Sequence, residues 1–216
     1  MRGLFFDFDG VTARSFEYHF HAWRQVLPVM GVEPDSLVVR LNEGSSAWKI
    51  AQALCRKAGV EIDEEEAKKL AAAKNEIFRA GQKPEVYAEV FTALEYARQQ
   101  GIKTALVTGS SHENLAYVLG EEGLGKFDLV IREGDYQHGK PKPEPYLTAA
   151  ERLAVPPREC VVVENAPLGI VSAKNAGMYC IALTTTLQAE LLETADLILP
   201  NHQALLDWLQ QKNLDK

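Results

Sequence analysis

Cysteine is scarce: Cys55, Cys160 and Cys180 are the only three in 216 residues. Their odd number, wide spacing and lack of a Cys-x-x-Cys pair give no basis for a disulfide framework or a zinc knuckle, and a reducing cytosol is the expected setting. Basic residues are outnumbered, 23 Lys and Arg against 30 Asp and Glu, for a formal net charge of -7. Such a chain offers no basic surface to a nucleic-acid backbone. Long apolar runs are missing as well. Met1-Arg2 leads at once into Gly3-Leu4-Phe5-Phe6-Asp7, too short and too soon charged for a signal peptide, and no later run reaches membrane-spanning length. Internal repeats and low-complexity segments are absent. The expectation is a cytoplasmic monomer with no nucleic-acid or membrane partner.

What is present is a rhythm. Six short, unbroken apolar runs recur: Leu4-Phe5-Phe6, Thr104-Ala105-Leu106-Val107, Leu129-Val130-Ile131, Val161-Val162-Val163, Cys180-Ile181-Ala182-Leu183 and Leu197-Ile198-Leu199. Runs without alternation suit strands covered on both faces. Helix-length stretches lie between them, from Pro84 to Gln100, Glu113 to Leu119, Pro145 to Leu153 and Leu168 to Ala176. The alternation predicts an α/β fold with a doubly wound parallel sheet.

Residues 15–82 break the rhythm. They hold four helical patterns, Phe16 to Met30, Pro34 to Leu41, Ala47 to Ala58 and Glu64 to Ala80, with Gly31, Gly44, Gly59 and Gly81 as stops and no strand. The acids Asp63-Glu64-Glu65-Glu66 suit a helix N-terminus. This segment is expected to form an inserted α-helical cap domain, leaving 1–14 and 83–216 as the core. Ala13-Arg14-Ser15 and Gly81-Gln82-Lys83-Pro84 should then act as a paired hinge.

In open α/β sheets ligands bind beyond the carboxyl ends of the strands. Those ends carry Asp7-Phe8-Asp9-Gly10, Thr108-Gly109-Ser110-Ser111, Lys140-Pro141 and Glu164-Asn165. Acids, hydroxyls and a lysine gathered at one edge suit phosphoryl transfer. Asp7 is the candidate nucleophile, forming an aspartyl phosphate. Asp9 can protonate the leaving oxygen and later deprotonate water. Two anions meeting at one site require positive charge, which magnesium supplies; Asp7, the backbone carbonyl of Asp9, Glu164 and Asn165 are the candidate ligands. Thr108, with the amides of Gly109 and Ser110, can donate to phosphoryl oxygens, and Lys140 can neutralise charge on Asp7. The expected partner is a small phosphorylated metabolite.

With these residues placed, the chain resembles the haloacid dehalogenase superfamily, in the helical-cap branch that holds β-phosphoglucomutases and small-metabolite phosphatases. Its four motifs occur in order: Asp7-Phe8-Asp9-Gly10-Val11, Val107-Thr108-Gly109-Ser110, Gly139-Lys140-Pro141-Lys142-Pro143-Glu144, and Val163-Glu164-Asn165-Ala166 with Gly169-Ile170 and Ala176-Gly177-Met178. The resemblance implies a magnesium-dependent phosphatase, with a phosphoglucomutase or an inorganic pyrophosphatase as alternatives. The last motif usually ends in a second acid, and here it is Asn165. An amide oxygen ligates without adding charge, so weaker magnesium binding is expected, and Asn165→Asp should lower the magnesium requirement.

The segment Glu17-Tyr18-His19-Phe20-His21-Ala22-Trp23 resembles the opening cap helix of the mutases, with His19 and Trp23 sharing a face with Ser15. Lys74-Asn75 matches a phosphate or hydroxyl contact. A mutase must also anchor a second phosphate. The mutase cap loop reads Gly-x-Ser-Arg, whereas Gly44-Ser45-Ser46 is followed by Ala47, and Ser111 stands where the mutases have a lysine. Hydrolysis is therefore expected. A response-regulator receiver shares an aspartate, a threonine, a lysine and magnesium, but Asp9 and the helical insertion argue against it. His21, His112, His138 and His202 are expected at the surface, and Trp48 and Trp208 in packing. The hydroxyls of Thr108 and Ser110 are also compatible with capping the next helix.

Overall fold

The computed structural model describes residues 1–214. Six strands, β1 (Gly3–Phe6), β2 (Lys103–Val107), β3 (Leu129–Ile131), β4 (Cys160–Glu164), β5 (Tyr179–Leu183) and β6 (Leu197–Leu199), form one sheet. All neighbours are parallel, in the order β3-β2-β1-β4-β5-β6. Both sheet faces are covered, which is why the strands read as continuous apolar runs. Leu4, Phe6, Leu106 and Val163 face one core with α5 (Ala88–Gln99), α6 (His112–Leu124) and α9 (His202–Leu214). Phe5, Ala105, Val107 and Val162 face the other with α7 (Glu144–Arg152) and α8 (Pro167–Asn175).

Four helices, α1 (Phe16–Val26), α2 (Ser36–Leu41), α3 (Ala47–Lys57) and α4 (Glu64–Ala80), follow β1 without a strand among them. They close around a separate core of Phe16, Trp23, Leu27, Ala51, Leu54 and Leu70. The first helix is shorter than predicted: Pro28 turns the chain into a 3₁₀ segment, Leu27–Met30, that Gly31 ends at φ 68°. The acidic run does start α4. Asp63 accepts from the Glu66 amide at 2.8 Å while the Glu66 side chain accepts from the Asp63 amide at 3.1 Å.

Three further differences have local causes. Helix α5 begins at Ala88 rather than Pro84 because residues 85–87 run against the turn after β1: Arg14 donates to the Glu85 carbonyl at 2.8 Å and Tyr87 to the Thr12 carbonyl at 3.1 Å. Helix α6 is broken at Gly120 (φ 66°, ψ 167°). Its cap is Ser111, which accepts from the Asn114 amide at 3.5 Å, and not Thr108 or Ser110. His202, expected at the surface, is buried; its Nε2 pairs with the Val11 carbonyl at 2.6 Å and its ring stacks on Tyr87. His21, His112 and His138 are exposed. No helix among the described residues is long and apolar enough to cross a membrane.

Candidate active site

The sheet order reverses direction at β1, so the crevice opens where β1 and its neighbours end. Asp7 stands there, fully buried, with its amide donating to the Val163 carbonyl at 3.0 Å and its own carbonyl accepting from Thr12 Oγ1 at 2.7 Å. Gly10 turns the chain at φ 81°. A Cβ on it would lie 2.2 Å from Asn165 Nδ2, so this turn needs glycine for both conformation and clearance.

Lys140 is brought from the loop before α7 and is 1% exposed, against the exposure a loop lysine ordinarily has. Its Nζ donates to Asp7 Oδ1 at 2.6 Å, to Glu164 Oε1 at 2.6 Å and to the Val107 carbonyl at 3.2 Å. Tyr146 from α7 also donates to Glu164 Oε1, at 2.6 Å, and the Asn165 amide donates to Glu164 Oε2 at 3.1 Å. Both Glu164 oxygens are therefore occupied by protein donors. Burial alone would lower Lys140, but the Asp7 and Glu164 carboxylates overcome it and hold the ammonium charged well above the usual lysine range. Burial, and then the Glu164 charge, push Asp7 up to about 8 against the pull of Lys140.

Asp9 is surrounded from the other side. Ser15 donates to its Oδ1 at 2.5 Å, His19 Nε2 lies 2.9 Å from the same oxygen, and Ser110 donates to Oδ2 at 2.9 Å. Behind His19, Lys74 Nζ stands 2.6 Å from Nδ1, and it also donates to Asn75 Oδ1 at 3.3 Å. A lysine on Nδ1 leaves Nε2 as the nitrogen that carries the proton toward Asp9. Burial raises Asp9, but His19, Ser15 and Lys74 together more than offset this and hold its carboxyl below the usual range. Burial and the neighbouring Lys74 lower His19.

Thr108 is buried with Oγ1 accepting from the Ser110 amide at 3.0 Å, and Tyr136 donates to its carbonyl at 2.9 Å. Gly109 lies against the cap loop. A small cavity of about 40 Å³, partly open to solvent, runs between cap and core. Its walls include Asp9, His19, Trp23, Asn75, Ala47 and Ser111. Trp23 serves both as wall and as cap core. Lys74 is the one cationic side chain among its described lining residues, and the positions expected to lack a second phosphate anchor, Ala47 and Ser111, do face this space.

Among the described residues two buried side-chain oxygens have no protein partner: Asp7 Oδ2 and Asn165 Oδ1. Unsatisfied buried oxygens beside a surplus of carboxylates suit a hard cation. The donor set thus fits magnesium through Asp7 and Asn165. Glu164 and the Asp9 carboxylate already accept from protein donors on both oxygens.

Sequence reading missed Glu43, Tyr146 and Asn114 and gave Ser15 no role. Glu43, in the loop before α3, is buried; burial and then the charge of Asp9 push it well above the usual carboxyl range. Asn114 links Arg79 (2.8 Å) to Asn75 (3.1 Å). The one available signal was the spacing of Ser15 and His19, four residues apart on one helix face.

The haloacid dehalogenase-like hydrolase family matches residues 1–177. Validoxylamine A 7'-phosphate phosphatase of Streptomyces hygroscopicus subsp. limoneus is 34% identical over 201 residues, covering 90% of this chain and 91% of that protein. Fructose-1-phosphate phosphatase YqaB of Escherichia coli K12 is 33% identical over 181 residues, covering 82% and 93%. The crystal structure of β-phosphoglucomutase from Clostridium difficile superposes with a TM-score of 0.84 at 24% identity, over 100% of this chain and 98% of that one, and shows the same fold.

Proposed function

The chain belongs to the haloacid dehalogenase-like hydrolases, and on that premise we propose that it is a phosphatase of small phosphorylated metabolites, of the sugar-phosphate class, acting through an aspartyl phosphate on Asp7. The observation that carries this reading is the pairing of Asp7 and Asp9 on one turn. Asp7 has one oxygen on Lys140 and the other unengaged, while Asp9 is held by Ser15, His19 and Ser110.

The residues divide the work as follows. The Asp7 carboxylate attacks phosphorus while Lys140 holds it in place and offsets its charge. Thr108 and the amides of Gly109 and Ser110 hold the phosphoryl oxygens. Asp9 gives a proton to the leaving oxygen, then takes one from the water that cleaves the acyl phosphate. In the closed form Asp9 is an anion, so substrate must displace Ser110 or the His19 contact before Asp9 carries that proton. Magnesium, held by Asp7 Oδ2 and Asn165 Oδ1, would screen repulsion between nucleophile and phosphate. Glu164 holds Lys140 in this reading. Cap 15–82 and core 1–14 with 83–216 move about the paired linkers, admitting substrate and excluding water from the acyl phosphate.

A second reading, a β-phosphoglucomutase, is favoured by the His19 contact on Asp9, with Lys74 behind the imidazole. One experiment tests both. Phosphate release is screened over sugar phosphates, nucleotides, phosphoglycolate and pyrophosphate with magnesium, with Asp7→Asn as blank, and β-glucose 1-phosphate is also assayed for glucose 6-phosphate. Release above the blank on sugar phosphates is expected. Isomerisation without release would replace phosphatase by mutase, and no product from any substrate would refute both.

A further inference from the structure

The buried acids, lysines and arginines among the described residues all lie in one place: Asp7, Asp9, Glu43, Lys74, Lys140 and Glu164. Four carboxylates thus meet two ammoniums. Asp7 and Glu164 share Lys140, and Asp9 has Lys74 behind His19. Glu43 has neither. Arg40, nearby on the cap, directs its guanidinium to the Thr186 carbonyl at 2.9 Å and to Glu17 at 3.4 Å. Two more carboxyl groups than ammoniums are buried here, an excess that one divalent cation would partner.

An independent observation marks where such an ion belongs. Asp7 Oδ2 and Asn165 Oδ1, both on fully buried residues, lack any protein partner. Glu43 is tied to that same Asn165, whose Nδ2 donates to Glu43 Oε2 at 3.0 Å and to Thr186 Oγ1 at 2.8 Å. The acid missing from position 165 in sequence is present beside it in space, carried by the cap.

We propose that Glu43 is the second acid of the cation site, delivered from the cap loop, so that magnesium binding and seating of the cap on the core are one event. This rests on the metal-dependent reading above. No three acidic, imidazole or thiol side chains among the described residues already form a metal cluster. Glu43 therefore engages the ion by exchanging its bond to the Asn165 amide for a bond to the metal. The arrangement also accounts for an amide at 165: a carboxylate there would face Glu43 at hydrogen-bond distance, with nothing between them whenever the ion leaves. The expectation that Asn165→Asp alone improves magnesium use is revised accordingly. The gain requires that Glu43 be neutralised in the same molecule.

Calorimetric titration of magnesium into four full-length proteins tests this. Glu43→Gln keeps the shape and an acceptor for Asn165 Nδ2, so the fold is retained. Its magnesium Kd is expected to weaken by ~10-fold or more, and Glu43→Gln with Asn165→Asp to recover to within about threefold of wild type by restoring the charge. Small-angle scattering gives a second readout: magnesium should reduce the radius of gyration of wild type and leave that of Glu43→Gln unchanged. Equal Kd for wild type and Glu43→Gln, a loss that Asn165→Asp does not recover, or a wild-type radius indifferent to magnesium would overturn the proposal. Asp7→Asn is carried alongside to separate the two readings. Binding lost in Asp7→Asn but intact in Glu43→Gln removes Glu43 alone, whereas no magnesium binding by wild type removes the metal-dependent reading as well.

Discussion

Gly109 of the core and Gly44 of the cap loop approach so closely that a Cβ on Gly109 would stand 2.6 Å from the Gly44 carbonyl oxygen and 2.8 Å from the Ser45 carbonyl carbon. Backbone cannot yield as a flexible side chain can, so one methyl at 109 must lift the cap loop. Gly109→Ala is expected to lower kcat/KM by ~10–100-fold, the scale of a misplacement near 1 Å, while the melting temperature changes by only a few degrees. A variant as active as wild type would show that the seated cap is not the working form.

The contrast between such contacts and the strand-end motifs shows what the sequence made readable. Asp7, Thr108, Lys140 and Glu164 follow apolar runs, and the parallel sheet carries all four to one edge. That step needs only the pattern of burial and the direction of the strands. Glu43 stands in Asn42-Glu43-Gly44-Ser45, a polar loop whose default is solvent; only the seating of the cap buries it. His202 and Tyr146 are likewise placed by packing between elements distant in sequence, for which no local period exists. The six strands were legible to within a residue or two. The start of α5 was not, because residues 85–87 pair with a turn some seventy positions earlier.

Glu164 has its own glycine. A Cβ on Gly169, in the first turns of α8, would lie 1.8 Å from Glu164 Oε1, the oxygen that accepts from both Lys140 and Tyr146. Gly169→Ala is expected to destabilise by roughly 2–4 kcal/mol through overpacking and loss of the buried ion pair, read as a fall in melting temperature of about 5–15 °C. Phosphate release should fall with it at temperatures where the variant is still folded. An unchanged melting curve would mean that Glu164 does not anchor Lys140.

Lys74 gives a pH signature. Burial pulls it down from 10.5 to about 8, with Asp9 opposing and Arg79 adding to the shift. Between those values the unfolded chain holds a proton that the folded chain has released, so this group makes the protein more stable as pH rises through the window. In Lys74→Met that dependence is absent. The stability of wild type relative to Lys74→Met, followed by melting, should climb from pH 8 to pH 10, on the order of 2–3 kcal/mol. A constant difference throughout would show that Lys74 keeps its ordinary affinity for protons.

Asp7→Asn separates chemistry from folding. Burial and the charge of Glu164 raise Asp7 to about 8, so at neutral pH folding has to protonate it, a cost that an amide avoids; Asp7→Asn should keep a melting temperature no more than a few degrees below wild type while turnover falls to the rate without enzyme. Magnesium should raise the melting temperature of wild type by mass action. The increment should shrink in Asp7→Asn and vanish with EDTA. Equal increments in both proteins would place the ion elsewhere.

The linkers have a consequence for how such a molecule can be rebuilt. Arg14 and Tyr87 bond across to Glu85 and Thr12, and Ala13 bridges Val86 in antiparallel pairing, so the two severed ends of the core already lie one strand spacing apart. To the core, the helical segment is a long hairpin loop. Its replacement by a short turn between residues 14 and 85 should leave the sheet folded, with a single cooperative melting transition, and with a bare catalytic rim. The same socket would accept a foreign helical insert whose ends match that spacing, making substrate choice a transplantable part of the chain.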